Sequence, residues 1–409
     1  MWLCCCNPDI EEPERVTVAR YKKDGTLVWR NLPYEPGVDI VTTTLTVDDG
    51  VIIAACEDNS GSGFFVTWTR GGATTPTEVG ITKFKSNGVR EWVVTNVGTG
   101  NFGSMTTDSS GDLYILTNQS GQARKLIKRD GSDGSVIFTK TTSTLSYLDL
   151  ALEVRYVQGT IYIFGKSDPS DTYCGITVTT AGAKDDDFFP GGGGTSAGIR
   201  SLHDIHVTSG GEVLGLGSGP GGDNKIYLAK IDSGGTLEWN LSQGTAASAY
   251  TYPLRLVVPG TDIDSEVDVA SEVDSSPGAS GTFLSTVDDD LTDGNAVYTE
   301  YYGAGAEGLY SHSPIWDGSN ICCISSLNFA FDVPQDMHLT VLDRSDSSFD
   351  NYVIGGSYAS GEGFVVPRLR PAQEDDPSVG SIAAFGGLLP GPAGDVFCLS
   401  GEAVTTTTW

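Results

Sequence analysis

Residues 227–239 read YLAKIDSGGTLEW: an alternating apolar run, a turn of Asp, Ser and two glycines, and a second run ending on an aromatic. Alternation at a period of two places the apolar residues on one face of a strand. Glycine after Asp or Ser accepts the positive φ that tight turns need. The stretch therefore reads as a β-hairpin. The same phrase returns as ARYKKDGTLVW (19–29), ITKFKSNGVREW (81–92), KLIKRDGSDGSVIF (125–138), FLSTVDDDLTDGNAVY (283–298) and HLTVLDRSDSSFDNY (338–352). GITVTTAGAKDDDFF (175–189) fills the remaining slot with a degenerate turn.

A second hairpin phrase alternates with the first. It reads TVDDGVIIAAC (46–56), TDSSGDLYILT (107–117), VRYVQGTIYIFG (154–165), HVTSGGEVLGLG (206–217), LVVPGTDIDSEVDVA (256–270), PIWDGSNICCIS (314–325) and LLPGPAGDVFCLS (388–400). Repeats spaced by roughly 45–63 residues, each worth four strands, predict a β-propeller. The expected fold is all-β: a seven-bladed β-propeller of four-stranded antiparallel blades. The chain opens on the first phrase and closes on the second, so the two sets are offset by half a blade. Residues 15–31 are then expected to complete the blade begun by 378–402, closing the ring with N- and C-terminal segments in one blade and pairing two open edges. An open array or a two-sheet sandwich is the competing reading. The corresponding division is an N-terminal tip (1–14), the propeller (15–402) and a C-terminal tail (403–409). The aromatics that end the first phrase (Trp29, Trp92, Phe138, Trp239, Tyr298 and Tyr352) are expected to pack between neighbouring blades.

The pairing of a hairpin such as YLAKIDSGGTLEW with one such as TDSSGDLYILT resembles the bacterial β-propeller repeats called SBBP repeats, and is similar to the PQQ-like repeats of quinoprotein propellers. The resemblance covers most of residues 15–402. It implies the propeller fold and an extracytoplasmic setting. It does not imply a quinone cofactor, since no dehydrogenase ligand set accompanies the repeats.

Lys and Arg number 24 against 53 Asp and Glu, a net charge of −29. Such a chain repels phosphates and anionic membranes, which argues against nucleic-acid partners. The densest acidic stretch, TDIDSEVDVASEVD (261–274), places Asp262, Asp264, Glu266 and Asp268 at alternate positions. On a strand they share one face, either a solvated face or a site for a divalent cation such as calcium, which takes several carboxylate oxygens. No other cofactor is expected. The eight cysteines include the run Cys4–Cys6 and the adjacent Cys322 and Cys323, a spacing unlike a disulfide framework. Cys56, Cys174 and Cys398 read as small strand hydrophobes.

The opening MWLCCCNPDIEEPER has neither a basic start nor an apolar run, so no secretion signal is expected. No segment approaches a membrane span. A virion or extracellular protein without a signal is the expected setting, a cytoplasmic one the alternative.

Four histidines limit the search for catalysis. His203, His206 and His312 fall on the strand that begins the second phrase, the innermost strand of a blade. Glu153, Arg155, Asp204, His206 and His312 share one parity and converge toward a central channel. That arrangement suits either a polar, water-filled channel or an acid–base site with Arg155 holding an acidic sugar. No nucleophile elbow, phosphate loop or metalloprotease pattern is present. Two stretches break the repeat: GFFVTWTRGGATTPTEVG (63–80), with aromatics expected at the surface, and the proline-rich FVVPRLRPAQEDDPSVG (364–380). Arg368 and Arg370 of the latter, with Trp2 and Leu3 of the tip, are the expected partner contacts, because long loops on rigid scaffolds carry binding.

The sequence reading is thus a non-enzymatic structural or binding module. The expected setting is an exposed phage virion component, such as a tail, fibre or capsid-associated protein, that contacts other virion proteins or a host-surface glycan. The alternatives are a polysaccharide lyase or hydrolase acting at the channel, or a cytoplasmic protein-interaction scaffold.

Overall fold

A computed structural model describes residues 15–31, 51–70, 78–95, 97, 101–118, 125–141, 150–167, 172–186, 201–218, 226–243, 249–257, 267–275, 279–287, 297–300, 309–316, 320–327, 337–343, 349–353, 363–365, 387–390 and 396–403. The chain is all-β. Strands β1 (Arg15–Tyr21) and β2 (Leu27–Asn31) form the first hairpin. Four-stranded antiparallel sheets then follow in chain order. The first is β3 (Val51–Glu57), β4 (Gly63–Arg70), β5 (Glu78–Lys85) and β6 (Arg90–Thr95). The second is β7 (Asn101–Thr107), β8 (Leu113–Asn118), β9 (Lys125–Arg129) and β10 (Val136–Lys140). The third is β11 (Leu150–Val157), β12 (Thr160–Ser167), β13 (Thr172–Thr179) and β14 (Lys184–Asp186). The fourth is β15 (Ser201–Val207), β16 (Val213–Ser218), β17 (Ile226–Ile231) and β18 (Leu237–Gln243). The fifth is β19 (Ala249–Val257), β20 (Val267–Ser275), β21 (Ala279–Val287) and β22 (Val297–Glu300). The sixth is β23 (Leu309–Trp316), β24 (Asn320–Leu327), β25 (Met337–Asp343) and β26 (Phe349–Val353). Strands β27 (Gly363–Val365), β28 (Gly387–Pro390) and β29 (Val396–Ala403) complete the order.

Strand β1 does not stay with its chain neighbours. It pairs antiparallel with β29 along its whole length, from Arg15 opposite Glu402 to Tyr21 opposite Val396. The termini therefore share one sheet. That sheet has five strands rather than the expected four. The four-residue β28 covers only Val396 to Leu399 of β29, and the short β27 covers Gly401 to Ala403. Together they shield an edge that a single short strand would leave half open.

The core lies between consecutive sheets. Phe65, Ile81, Met105, Leu113 and Ile115 pack the first sheet on the second. Tyr114, Leu126, Val154, Ile163 and Val178 pack the second on the third. Val18 and Phe397 of the terminal sheet pack on Phe64, Trp68 and Phe84 of the first. The first and second sheets are thus covered on both faces, which accounts for the run FFVTW of β4, apolar but for Thr67.

That run corrects the reading of 63–80. Its aromatics are not at the surface: Phe64 and Phe65 are fully buried and Trp68 is 1% exposed. The inner hairpin of the first sheet is likewise 51–70, not 46–56. Its turn is Asp58–Ser62, where Asp58 accepts from the Ser60 amide and Gly61 takes φ 79°. Asp48-Asp49-Gly50 mimicked that turn but precedes the strand.

Three terminal aromatics of the first phrase interlock neighbouring sheets as expected. Trp29 covers Gly88 of the first sheet, Trp92 covers Gly134 of the second, and Phe138 covers Gly182 of the third. At Gly88 a Cβ would stand 2.6 Å from the Trp29 ring, and φ is 86°. Both the close approach and the left-handed backbone demand glycine there.

Candidate functional site

The first strands of the sheets, β3, β7, β11, β15, β19 and β23, lie each against the next, and β28 lies against both β23 and β3. Six of them carry an irregularity at the same place. Register slips between Ile52 and Ala54, Phe102 and Ser104, Ala151 and Glu153, Leu202 and Asp204, Pro253 and Arg255, and His312 and Ile315. A bulge re-aims the following side chain and sharpens the twist. In β7, β11 and β15 the residue after the bulge is Ser104, Glu153 and Asp204, each polar.

These residues form a chain of hydrogen bonds across four strands. Ser104 Oγ donates to Glu153 Oε2 at 2.7 Å. Arg155 pairs with the same Glu153 and reaches Asp204 Oδ1 at 3.1 Å. Asp204 Oδ2 accepts the backbone N–H of Leu256 at 2.9 Å, and Oδ1 accepts that of Ile205 at 2.9 Å. Glu153 and Asp204 are buried, while the Arg155 side chain keeps 28% exposure. Burial works against the guanidinium charge, but Glu153 and Asp204 outweigh it and raise the Arg155 pKa. His206 lies two residues beyond Asp204. Its Nε2 is buried with no hydrogen-bond partner among the described residues. Burial lowers its pKa, Asp204 opposes the drop and Arg155 adds to it.

A second set of polar stations repeats nearer the turns. Lys83, Lys128 and Lys230 occupy one repeat position and are buried. Lys83 Nζ meets Asp58 at 2.9 Å and Lys128 Nζ meets Asp112 at 2.9 Å. Burial opposes the Lys128 ammonium, yet Tyr114, Asp112 and Asp108 hold its pKa above the lysine range. Burial pushes the Tyr114 hydroxyl up to about 12. Burial also pushes the thiol of the free, half-buried Cys56 well up, with Glu57 and Asp58 adding, which disfavours its thiolate.

The shared parity read from the sequence brings Glu153, Arg155 and Asp204 together and sets His206 beside them. The bulges and Ser104 were missed, because an irregular pairing leaves no mark in apolar alternation. His203 is the bulged residue of β15 and His312 precedes the bulge of β23. Asp268 lies on β20, opposite Val257. Asp262, Asp264, Glu266, Trp2, Leu3, Arg368 and Arg370 lie outside the described residues. Among the described residues no group of three or more His, Cys, Asp or Glu is placed to hold a metal ion. No helix among them is long and apolar enough to cross a membrane.

No protein-family model matches the chain, and no curated protein matches it in sequence. Solved structures do resemble it in shape. A streptogramin B lyase aligns over 95% of this chain and 97% of its own, at 12% identity and a TM-score of 0.47. The Kuenenia stuttgartiensis hydrazine synthase aligns over 75% and 80%, at 11% identity and 0.49. The Dos1 propeller aligns over 85% and 78%, at 12% identity and 0.44. Scores at this level carry no argument about function.

Proposed function

We propose that the chain is a seven-bladed β-propeller, closed by β1 and β2 in the sheet of β29, that works as a non-enzymatic structural or binding module. The pairing of β1 with β29 over seven residues carries the ring reading, with the contact of β28 on β3 beside it. The polar chain at the inner strands supports a scaffold over a catalyst. Glu153 and Asp204 are occupied by Ser104, Arg155 and backbone amides, so neither carboxylate is spare for proton transfer.

The setting we propose is an exposed virion component that meets other virion proteins or a host-surface glycan. The free thiol of Cys56 fits a chain made in a reducing compartment. Two experiments test the reading. Deleting residues 1–31 should expose the β29 edge and the faces of Phe64 and Phe397, lowering the melting point and causing association; unchanged melting and elution would end the ring reading. The intact protein should cleave neither acidic nor neutral polysaccharides. Cleavage that is lost on His312→Ala would instead establish an enzyme at the channel.

A further inference from the structure

The sequence contains a single Asn-Gly pair, Asn87–Gly88. It lies in the turn between β5 and β6, and Asn87 is exposed. An asparagine before glycine is open to attack on its carboxamide by the next backbone nitrogen, because glycine has no side chain in the way. The folded turn holds both reacting groups. The Gly88 N–H donates to the Lys85 carbonyl at 2.9 Å, and Asn87 Oδ1 accepts the Val89 N–H at 3.1 Å. The terminal hairpin then clamps the turn from outside. Trp29 Nε1 and Arg20 Nη1 donate to the Ser86 carbonyl, each at 3.2 Å, and Asn31 Nδ2 donates to the Gly88 carbonyl at 2.9 Å. The peptide units on either side of the Asn87–Gly88 bond are thereby pinned, and the Trp29 ring lies over Gly88.

The repeat supplies an internal comparison. Asp24–Gly25 and Asp133–Gly134 hold the same turn position in the neighbouring sheets, each with its glycine at positive φ. Asp24 Oδ1 accepts the Thr26 N–H at 3.0 Å and Asp133 Oδ1 accepts the Ser135 N–H at 2.8 Å, as Asn87 accepts that of Val89. An aspartate at position 87 therefore fits the turn. An isoaspartate does not. It adds a methylene to the main chain and displaces Gly88, where even a Cβ would stand 2.6 Å from the Trp29 ring.

We propose that Asn87–Gly88 is a site of spontaneous deamidation held shut by the terminal hairpin, and that isoaspartate formed there keeps the hairpin from docking again. When β1 and β2 leave the first sheet, the turn loses its outer clamp and opens locally. The Gly88 nitrogen gives up its proton and attacks Cγ of Asn87. The new N–Cγ bond closes a five-membered succinimide, the Cγ–Nδ2 bond breaks, and ammonia leaves with a proton from solvent. Water then adds to one of the two ring carbonyls and opens the ring. One opening yields aspartate, which the turn accepts; the other yields isoaspartate, which it rejects. The modification thus records covalently that the joint between the chain's two ends has opened. This chemistry is independent of the function proposed above.

The test is a time course of the full-length protein at pH 8, followed by peptide mapping with mass spectrometry that separates aspartate from isoaspartate. Asn87 should convert at least about tenfold more slowly in native protein than in urea. Asn31→Ala removes one clamp and should speed native conversion at Asn87. It should leave Asn59 unchanged, because Asn59 is exposed but bonded to Thr107 of the second sheet instead. Should Asn31→Ala unfold the chain, so that both sites rise together, wild-type protein in urea below its unfolding transition decides: Asn87 should rise there ahead of Asn59. Chains aged in urea and refolded complete the test. Those with isoaspartate at position 87 should melt lower, while the Asn87→Asp variant should melt as the wild type does. Equal rates in native protein and urea, an Asn87 rate that rises only in step with Asn59, or wild-type melting of the isoaspartate chains would each overturn the proposal.

Discussion

The indole Nε1–H of Trp92 donates to the carbonyl of Gly131, 3.1 Å away in the next sheet. Lys83 Nζ donates to the same oxygen at 2.9 Å. One sheet earlier, Trp29 Nε1 and Arg20 Nη1 both donate to the carbonyl of Ser86, each at 3.2 Å. Ser86 and Gly131 hold equivalent turn positions, so one cation and one indole close each of these joints in the same way. At the following joint Phe138 has no donor, and the Tyr114 hydroxyl reaches the carbonyl of Thr180 at 3.2 Å instead. These three joints thus set a polar clasp above an apolar interface, and the terminal hairpin is clasped like the first sheet.

The clasp at Trp92 separates into two effects. Trp92→Phe keeps the ring on Gly134 and removes the hydrogen bond, at an expected cost of about 1 kcal/mol. Trp92→Ala also empties the interface, for about 3 kcal/mol. Urea unfolding of the two variants beside the wild type checks the order; equal losses would assign the whole effect to packing.

Gly134→Ala should cost more than 1 kcal/mol. Its φ of 76° is strained for alanine, and the new Cβ would stand 2.9 Å from the Trp92 ring. Combining it with Trp92→Ala should recover part of the loss, because the clash with the ring disappears while that with Val94 Cγ2, 2.7 Å away, remains. Additive melting-point shifts would refute that coupling.

Arg155→Leu should destabilise the protein by about 3 kcal/mol, since it leaves Glu153 and Asp204 buried without their cation. Replacing Glu153 and Asp204 by Gln and Asn in the same chain should restore much of it. Chemical denaturation of the single and triple variants measures both.

His206 is held below its ordinary pKa by burial, so the folded state favours the neutral imidazole. Its contribution to stability is fully present above the unfolded-state value of about 6.5 and is lost as pH falls from there toward the folded value. Melting points recorded from pH 8 down to 5 should decline, and His206→Gln should flatten that decline. A wild-type slope kept by the variant would show that another group sets it.

The burial that raises the Cys56 thiol should slow its alkylation. Peptide mapping after a short iodoacetamide pulse at pH 8 should find Cys56 and the buried Cys322 unmodified in native protein and labelled in urea.

The repeated hairpins were legible without coordinates, because strand alternation and turn glycines are local properties. YLAKIDSGGTLEW and VRYVQGTIYIFG fold where they were read. The half-repeat offset also foretold that 15–31 would join the sheet of the C-terminal strand, since an incomplete hairpin set at each end leaves matching edges. The first inner hairpin was misread, because Asp48-Asp49-Gly50 and Asp58-Asn59-Ser60-Gly61 offer equally good local turns. Only the burial of Phe64 and Phe65 between two sheets selects the second.

For the inner site, parity alone could align Glu153, Arg155 and Asp204 on one side of their strands. It could not say that they bond to one another. That depends on bulges at Ala151–Glu153 and Leu202–Asp204, which turn the side chains toward the neighbouring strand. The sequence by itself determined that the chain is all-β and where most of its repeated hairpins lie, through alternation and glycine placement. Only the tertiary structure decided which faces are buried, how β27 and β28 divide the edge of β29, and which charges meet, because these follow from contacts between segments that local alternation does not relate, such as Ser104 with Glu153 and Arg155 with Asp204.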